Sequence, residues 1–438
     1  METFLKNFFS PGKEYRGMPF WAWNSELDED ELARQIATFK EMGFGGFFMH
    51  SRVGLKTPYL GDKWFSCIRR CIESAKQYDM FAGLYDEDRW PSGTAGGMVT
   101  KKDEFKAKFL KCEIVTLPLP ENLPGCTLGF FAVRGDEKKR FCRSYRELPE
   151  NFTAADLHSG EFPVRIWFEN EKNSSWFNGQ TYIDTMDPLA VKEFINRTHE
   201  KYFSESGDEF GRTVSMIFTD EPCFLHFARM ALPWTLSLPE KFEKEWKRDL
   251  LTVLPELFFD LPEKVSLTKW QFFNTVTGLF VNSFCRQIGN WCTEHNLKLT
   301  GHVLGEDSLT SQTAGVGAAM RFYEFMHIPG IDQLTEIWNV FISVKQCVSA
   351  ARQFGKNERL SELYGCTGWE FPLSGHLALG DWQYALGINL RIPHLAHYSM
   401  AGMSHTREAT VSPLKMTICQ TATSGSSCDR RLTMSIAT

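Results

Sequence analysis

Val214-Ser-Met-Ile-Phe-Thr-Asp-Glu-Pro222 is an apolar run that ends in two carboxylates and a proline. The design recurs at 358–365, which ends at Glu362, Tyr364 and Gly365, and at 81–88, which runs into Asp86, Glu87 and Asp88. Short apolar runs are how buried parallel strands read in a sequence. A charge at the end of a buried strand costs desolvation, so its presence needs a reason. In a β/α barrel, the C-terminal strand ends carry the active site. Two opposed carboxylates are the machinery of glycoside hydrolysis.

Working outward, strand-like and helix-like segments alternate. Met18–Trp23 reads as a strand ending at Asn24, followed by a helix over Asp28–Met42 with Leu32, Ile36, Phe39 and Met42 at helical spacing. Gly45–Met49 is a second strand, ending at His50, Ser51 and Arg52, before a helix at Asp62–Tyr78. Phe81–Tyr85 is the third strand, and Trp90-Pro-Ser-Gly-Thr-Ala-Gly-Gly97 makes a tight connection after it. Later come helix Asp187–Phe203, strand Val214–Thr219, helices Lys241–Leu251 and Leu267–Asn296, and strand Leu297–Leu304. A short helix within 306–327 leads to strand Gly330–Leu334, ending at Glu336. Helix Val340–Phe354, strand Arg359–Leu363, a short helix at Asp381–Leu386 and strand Asn389–His397 complete the count. Eight strands with seven intervening helical segments predict an α/β fold, a (β/α)8 TIM-type barrel.

Two segments break the rhythm. Residues 108–182 predict a β-rich insertion between strand 3 and helix 3, so the barrel divides into 1–107 and 183–402. Residues 403–438 form an atypical tail. From residue 399 onward there is no Phe, Trp or Tyr, where the chain average gives about five or six. The tail is expected to order poorly, because it buries too little apolar surface to offset ordering entropy. The abrupt change fits a slip of reading frame near Gly402.

The 438 residues are 43% hydrophobic and 14% aromatic, with 13 Trp, enough for a large core. The net charge is −6 and no basic patch stands out, which disfavours nucleic acid as a partner. No apolar run reaches the ~18 residues of a membrane span. Met1 to Tyr15 lacks the apolar segment of a secretory signal. Twelve scattered cysteines without CxxC spacing read as reduced thiols, so a cytoplasmic location is expected.

Pro19-Phe-Trp-Ala-Trp-Asn24, Gly45-Gly-Phe-Phe-Met-His50, Tyr85-Asp-Glu-Asp88 with Trp90-Pro-Ser-Gly93, and Thr219-Asp-Glu-Pro222 occur in this order. With Gly301-His-Val-Leu-Gly-Glu306 and Ser361-Glu-Leu-Tyr-Gly365, they resemble the catalytic barrel of glycoside hydrolase family 106, the α-L-rhamnosidases and their relatives. The resemblance spans about residues 11–400. It implies hydrolysis of an α-L-rhamnosidic bond with inversion, a carbohydrate partner, and a calcium ion near the site. Members are usually longer, with β-sandwich domains beyond the barrel.

The resemblance places Glu221 as the general acid, which must stay protonated near neutral pH. Asp220 beside it supplies a like charge or orients a neighbour. The competing reading makes Asp-Glu-Pro a helix cap. Glu362 is the matching base, against an ion pair with Arg359 or another barrel-rim cation. Glu336 either shares the base role or binds calcium, a hard ion that takes oxygen ligands. Glu306 is a candidate for sugar hydroxyls; both acids could equally be solvated loop carboxylates. Strand alternation sends Asp86 and Asp88 to one side and Glu87 to the other. Asp86 and Asp88 suit a grip on vicinal hydroxyls, or pair with Arg89 or Arg52. Asn24, His50, Arg52, Trp90, His302 and Tyr364 complete the expected sugar pocket. His50, His302, His394 and His397 at strand ends suggest a metallohydrolase, but strand 1 carries Trp21-Ala-Trp23 where such a site wants a His-x-His pair. There is no Gly-x-Ser-x-Gly elbow and no dinucleotide fingerprint. The runner-up is an inactive or non-catalytic barrel fragment that binds sugar.

Overall fold

Each predicted apolar run pairs with its neighbours in parallel register. In the computed structural model, which describes residues 8–224, 231–263, 265–333, 340–367 and 371–400, the strands are β1 Phe20–Trp23, β2 Gly46–Ser51, β3 Phe81–Tyr85, β4 Met216–Thr219, β5 Lys298–Gly301, β6 Ile328–Gln333, β7 Leu360–Leu363 and β8 Leu390–Pro393. They pair in sequence order. Ala396–His397 then pairs with Trp21 and Ala22 of β1, and Met18 N–H donates to the Arg391 carbonyl at 3.1 Å, so the sheet closes on itself. The result is a (β/α)8 barrel.

The helices outside it follow from amphipathic spacing. Helix α1, Glu29–Glu41, starts where the Asp28 side chain accepts from Glu31 N–H, and it buries Leu32, Ile36 and Phe39. Helix α2, Asp62–Gln77, buries Trp64, Phe65, Ile68 and Ile72. Between strands, side-chain direction alternates with period two. Phe20, Phe48, Phe218, Ile328, Leu360 and Ile392 share one parity and form an apolar plug inside the barrel. Phe20 meets Phe218 edge-on at 4.6 Å and Phe48 at 5.8 Å.

Several boundaries differ from the sequence reading. Strand five stops at Gly301, not Leu304, because Gly301 adopts φ 131°. Only glycine fits there, since a Cβ would stand 1.8 Å from the Thr219 carbonyl. Strand six begins at Ile328; Leu334 and Glu336 lie outside the described residues, as does the tail 403–438. Strand eight is interrupted at His394–Leu395. The helix expected at Asp381–Leu386 runs from Leu373. After β3 stands a five-stranded antiparallel sheet of Lys108–Ile114, Cys126–Asp136, Phe141–Leu148 and Glu161–Asn170, with Leu232–Trp234 added at the edge beside Lys108–Leu110. That last strand escapes sequence reading because it is three residues long and contains Pro233, which only an edge tolerates.

None of the ten described cysteines is disulfide-bonded. Among the described residues, no helix is long and apolar enough to cross a membrane. The plug predicts a large cavity penalty: Phe20→Ala should cost about 3–5 kcal/mol in urea unfolding. A loss well under 1 kcal/mol would show that the plug does not hold the barrel together.

Candidate active site

The parity that builds the plug also builds the site. One step beyond Phe48 comes His50, beyond Phe218 comes Asp220, beyond Leu360 comes Glu362 and beyond Ile392 comes His394. Tyr85, His302 and Asp332 take the same inward direction on β3, the end of β5 and β6. Asp332 and Glu362 are direct partners in the β6–β7 register. Glu221 has the opposite parity to Asp220. Its backbone turns into the left-handed region, φ 48°, which frees its side chain from the strand's alternation.

His302 donates from Nε2 to Glu362 Oε2 at 2.8 Å and stands 3.5 Å from Asp220 Oδ1. Tyr85 Oη donates to Asp220 Oδ2 at 2.6 Å. His394 Nε2 lies 3.7 Å from Glu362 Oε1. Arg52 approaches His50 Nε2 and His394 Nε2, each at 3.4 Å. Burial and the Arg52 charge hold His50 well below the usual histidine range, so it is neutral. For His302, burial opposes charge, but the bond to Glu362 and the charges of Glu362, Asp220 and Asp332 outweigh it. His302 is therefore an imidazolium paired with a carboxylate.

Glu221, Glu306 and Asp332 border a cavity of about 160 Å³ together with Val303, Gln333 and Ser343. The exposed Asp307 also lines this cavity, and Asp220 and Glu362 stand beside it, so that Asp220, Glu221, Glu306, Asp332 and Glu362 are the five carboxyls withdrawn from solvent at the mouth. Burial, reinforced by Asp220, pushes Glu221 up to about 8. Burial, reinforced by Glu362, also raises Asp332 well above the usual carboxylate range. Burial pushes Glu306 to about 7, against the pull of His302 and of the Tyr323 hydroxyl, which donates to Oε2 at 2.7 Å. Burial raises Glu362 as well, against its bond to His302. Such a set shares protons among its members instead of ionising fully.

Of the residues singled out in the sequence, the structure brings together His50, Arg52, Asp220, Glu221, His302, Glu306, Glu362 and His394. Asp86, Asp88, Asn24, Tyr364 and Trp90 are engaged elsewhere. Asp86 has no exposed surface, and Oδ1 accepts from Ser92 Oγ at 2.5 Å. Asp88 is held by Ser51 at 2.6 Å and Asn178 at 3.0 Å, with Arg89 at 3.6 Å, as the ion-pair alternative expected. Asn24 bonds to the backbone of Ser399 in both directions, at 2.8 and 2.9 Å, and so ties the closing strand to β1. Tyr364 donates to the His376 carbonyl, away from the mouth. Trp90 packs edge-on against Trp176 at 5.3 Å. Of the rim cations weighed as a partner for Glu362, His302 pairs with it, and Arg359 binds backbone carbonyls. Asp332 is the residue the sequence reading missed. Its signal was parity: it lies two and four residues beyond Gly330 and Ile328, inside the strand and not at its end.

Among the described residues, the donor atoms of Asp220, His302 and Glu362 lie within 4.8 Å of one another. This set does not fit calcium. Calcium takes six to eight oxygens, whereas one of these donors is an imidazole nitrogen already bonded to Glu362. Glu336, the expected calcium ligand, lies outside the described residues.

No family model matches the chain, and no curated protein matches its sequence. The structure is similar to a rhamnosidase from Novosphingobium sp. PP1Y, with TM-score 0.65 and 14% identity over 91% of this chain and 56% of that one. It is also similar to a β-galactosidase from the psychrophilic Marinomonas ef1, with TM-score 0.50 and 8% identity over 95% and 58%. The chain spans a little over half the length of these two enzymes. At such identities the likeness shows the shared barrel fold.

The raised carboxyls fix the sign of the pH dependence of stability. Between an unfolded value of 4.5 and folded values of about 7 for Glu306 and about 8 for Glu221, the folded protein holds more protons. Stability from these groups is full below the unfolded value and is lost as pH rises through the folded ones. Thermal unfolding should therefore occur at higher temperature at pH 5 than at pH 8. Glu221→Gly should flatten this dependence and stabilise the fold by about 1 kcal/mol, because glycine accepts the left-handed backbone. A melting temperature that rises from pH 5 to pH 8 would contradict the proton-sharing account.

Proposed function

We propose that this barrel hydrolyses a glycosidic bond, with Glu221 as proton donor and Glu362 as the base that activates water. The observation that carries the reading is the state of Glu221. Its carboxyl borders the cavity and is pushed to about 8, so it holds a proton at neutral pH. In the reaction, the glycosidic C–O bond breaks as Glu221 gives its proton to the leaving oxygen. Water attacks the anomeric carbon, and its proton passes to Glu362. His302 fixes the Glu362 carboxylate and stabilises its charge before the proton arrives. Exchange with solvent then returns Glu362 and Glu221 to their starting states.

An α-L-rhamnoside is the proposed substrate, and inversion the proposed outcome. Both are supported by the motif resemblance together with the fold shared with a rhamnosidase. The neutral His50 and the Arg52 guanidinium at the same mouth supply hydrogen-bonding groups for sugar hydroxyls.

The test uses p-nitrophenyl glycosides, α-L-rhamnoside included, and an unactivated rhamnoside. Glu221→Gln should lose about 10²–10⁴-fold on the unactivated substrate and much less on the aryl glycoside, whose leaving group needs little protonation. Glu362→Gln should abolish turnover of both. Calorimetric sugar binding without turnover by the parent chain would replace this reading with a sugar-binding barrel.

A further inference from the structure

We propose that Glu87 is a positioning residue for Glu221, acting through the loop Ser92–Gly97 as an anion built into the fold. Its side chain leaves the barrel mouth and enters the turn that follows β3. Oε2 accepts from Gly93 N at 3.0 Å, Thr94 N at 2.6 Å, Thr94 Oγ1 at 3.1 Å and Ala95 N at 2.9 Å. Oε1 accepts from Asp88 N at 2.8 Å and Gly96 N at 2.6 Å. Successive backbone N–H groups converge in this way on anions. Here the anion is a side chain of the same loop, fully buried.

Five of the six neighbours are backbone N–H groups, which cannot accept a bond from a protonated carboxyl; only the Thr94 hydroxyl can. The loop conformation therefore favours the carboxylate. Burial pushes Glu87 up to about 7, and the N–H groups of Gly96, Asp88 and Thr94 pull the other way.

The loop reaches the active site through Ser92. Ser92 Oγ donates to Asp86 at 2.5 Å and accepts from Asp220 N at 2.8 Å. Ser92 N donates to the Asp220 carbonyl at 2.8 Å, and Tyr182 Oη donates to the Ser92 carbonyl at 2.8 Å. Ser92 therefore clamps both backbone polar groups of Asp220, the residue just before the left-handed turn at Glu221. Asp220 is also the largest charge acting on Glu221. The other groups facing Glu221 are His302 and Glu306 from β5 and its loop, Asp332 from β6, and Glu362 and Cys366 from β7 and its loop. None of these contacts the Ser92–Gly97 loop in the hydrogen bonds above, so the loop acts on Glu221 through Asp220.

The inference rests on Glu221 as the proton donor, but its test does not require turnover. In protein carrying ¹³C at glutamate Cδ, the Glu221 signal is identified by its loss in Glu221→Gln, and its titration is followed by NMR. Glu87→Gln places an amide N–H₂ against backbone donors and should open the loop. Ser92→Ala removes the side-chain half of the clamp, the Oγ that accepts from Asp220 N, while leaving Ser92 N on the Asp220 carbonyl and Glu87 in place. Both should lower the Glu221 midpoint by about one pH unit, the scale set by moving a like charge away. If Glu87→Gln does not fold, Ser92→Ala alone decides. A loss of thermal stability with an unchanged Glu221 midpoint in the folded variants would overturn the proposal and leave Glu87 a purely structural anchor. Absence of hydrolysis by the parent chain would instead refute the glycosidase reading, whatever the titration shows.

Discussion

The hydrogen bond between His302 Nε2 and Glu362 Oε2 is the interaction on which the barrel mouth depends. Five carboxyls converge there, and burial opposes the charge of Glu221, Glu306, Asp332 and Glu362. An uncompensated buried charge costs several kcal/mol. A protonated His302 offsets two of these charges at once, since Asp220 stands 3.5 Å from the same nitrogen. Arg52 contributes a second positive charge, set between His50 and His394. The charge left over is removed by protons. Glu221 and Asp332 both gain one, and the neighbour of Glu221, Asp220, is already engaged by Tyr85 and Ser92.

Geometry and electrostatics therefore have a common origin in strand parity. The residues that plug the barrel and those that line its mouth share the inward face of the same strands, two residues apart. A rigid aromatic floor of Phe20, Phe48 and Phe218 excludes water from below. The polar layer above it sits in a low dielectric, where each hydrogen bond and each charge counts for more than in water. Glu221 departs from the alternation through a strained backbone at the place where a proton donor is needed.

Much of this was legible in the sequence because apolar runs with charged ends are costly outside a barrel mouth. The run 214–222 located Asp220 and Glu221, and the run 358–365 located Glu362. What was not legible depends on contacts far apart in the chain. Asn24 looks like a pocket residue, yet it binds Ser399, 375 positions later. Asp86 looks like a ligand for hydroxyls until Ser92 folds back over it. Asp332 was overlooked because attention to strand ends favours Glu336, whereas an inward-facing position inside a strand reaches the mouth equally well. Glu87 was read as facing away from Asp86 and Asp88, but nothing in one sequence shows five backbone N–H groups closing around it.

The central claim is that a carboxyl held protonated at the barrel mouth drives glycoside cleavage. The most direct measurement is the pH dependence of kcat/KM for an unactivated α-L-rhamnoside, whose leaving group needs the proton, compared between the parent chain and Glu221→Gln. The account predicts an alkaline limb near pH 8 in the parent, where Glu221 loses its proton, and its disappearance in the variant. The same limb in both proteins would contradict the account, because the titrating acid would then be a different group.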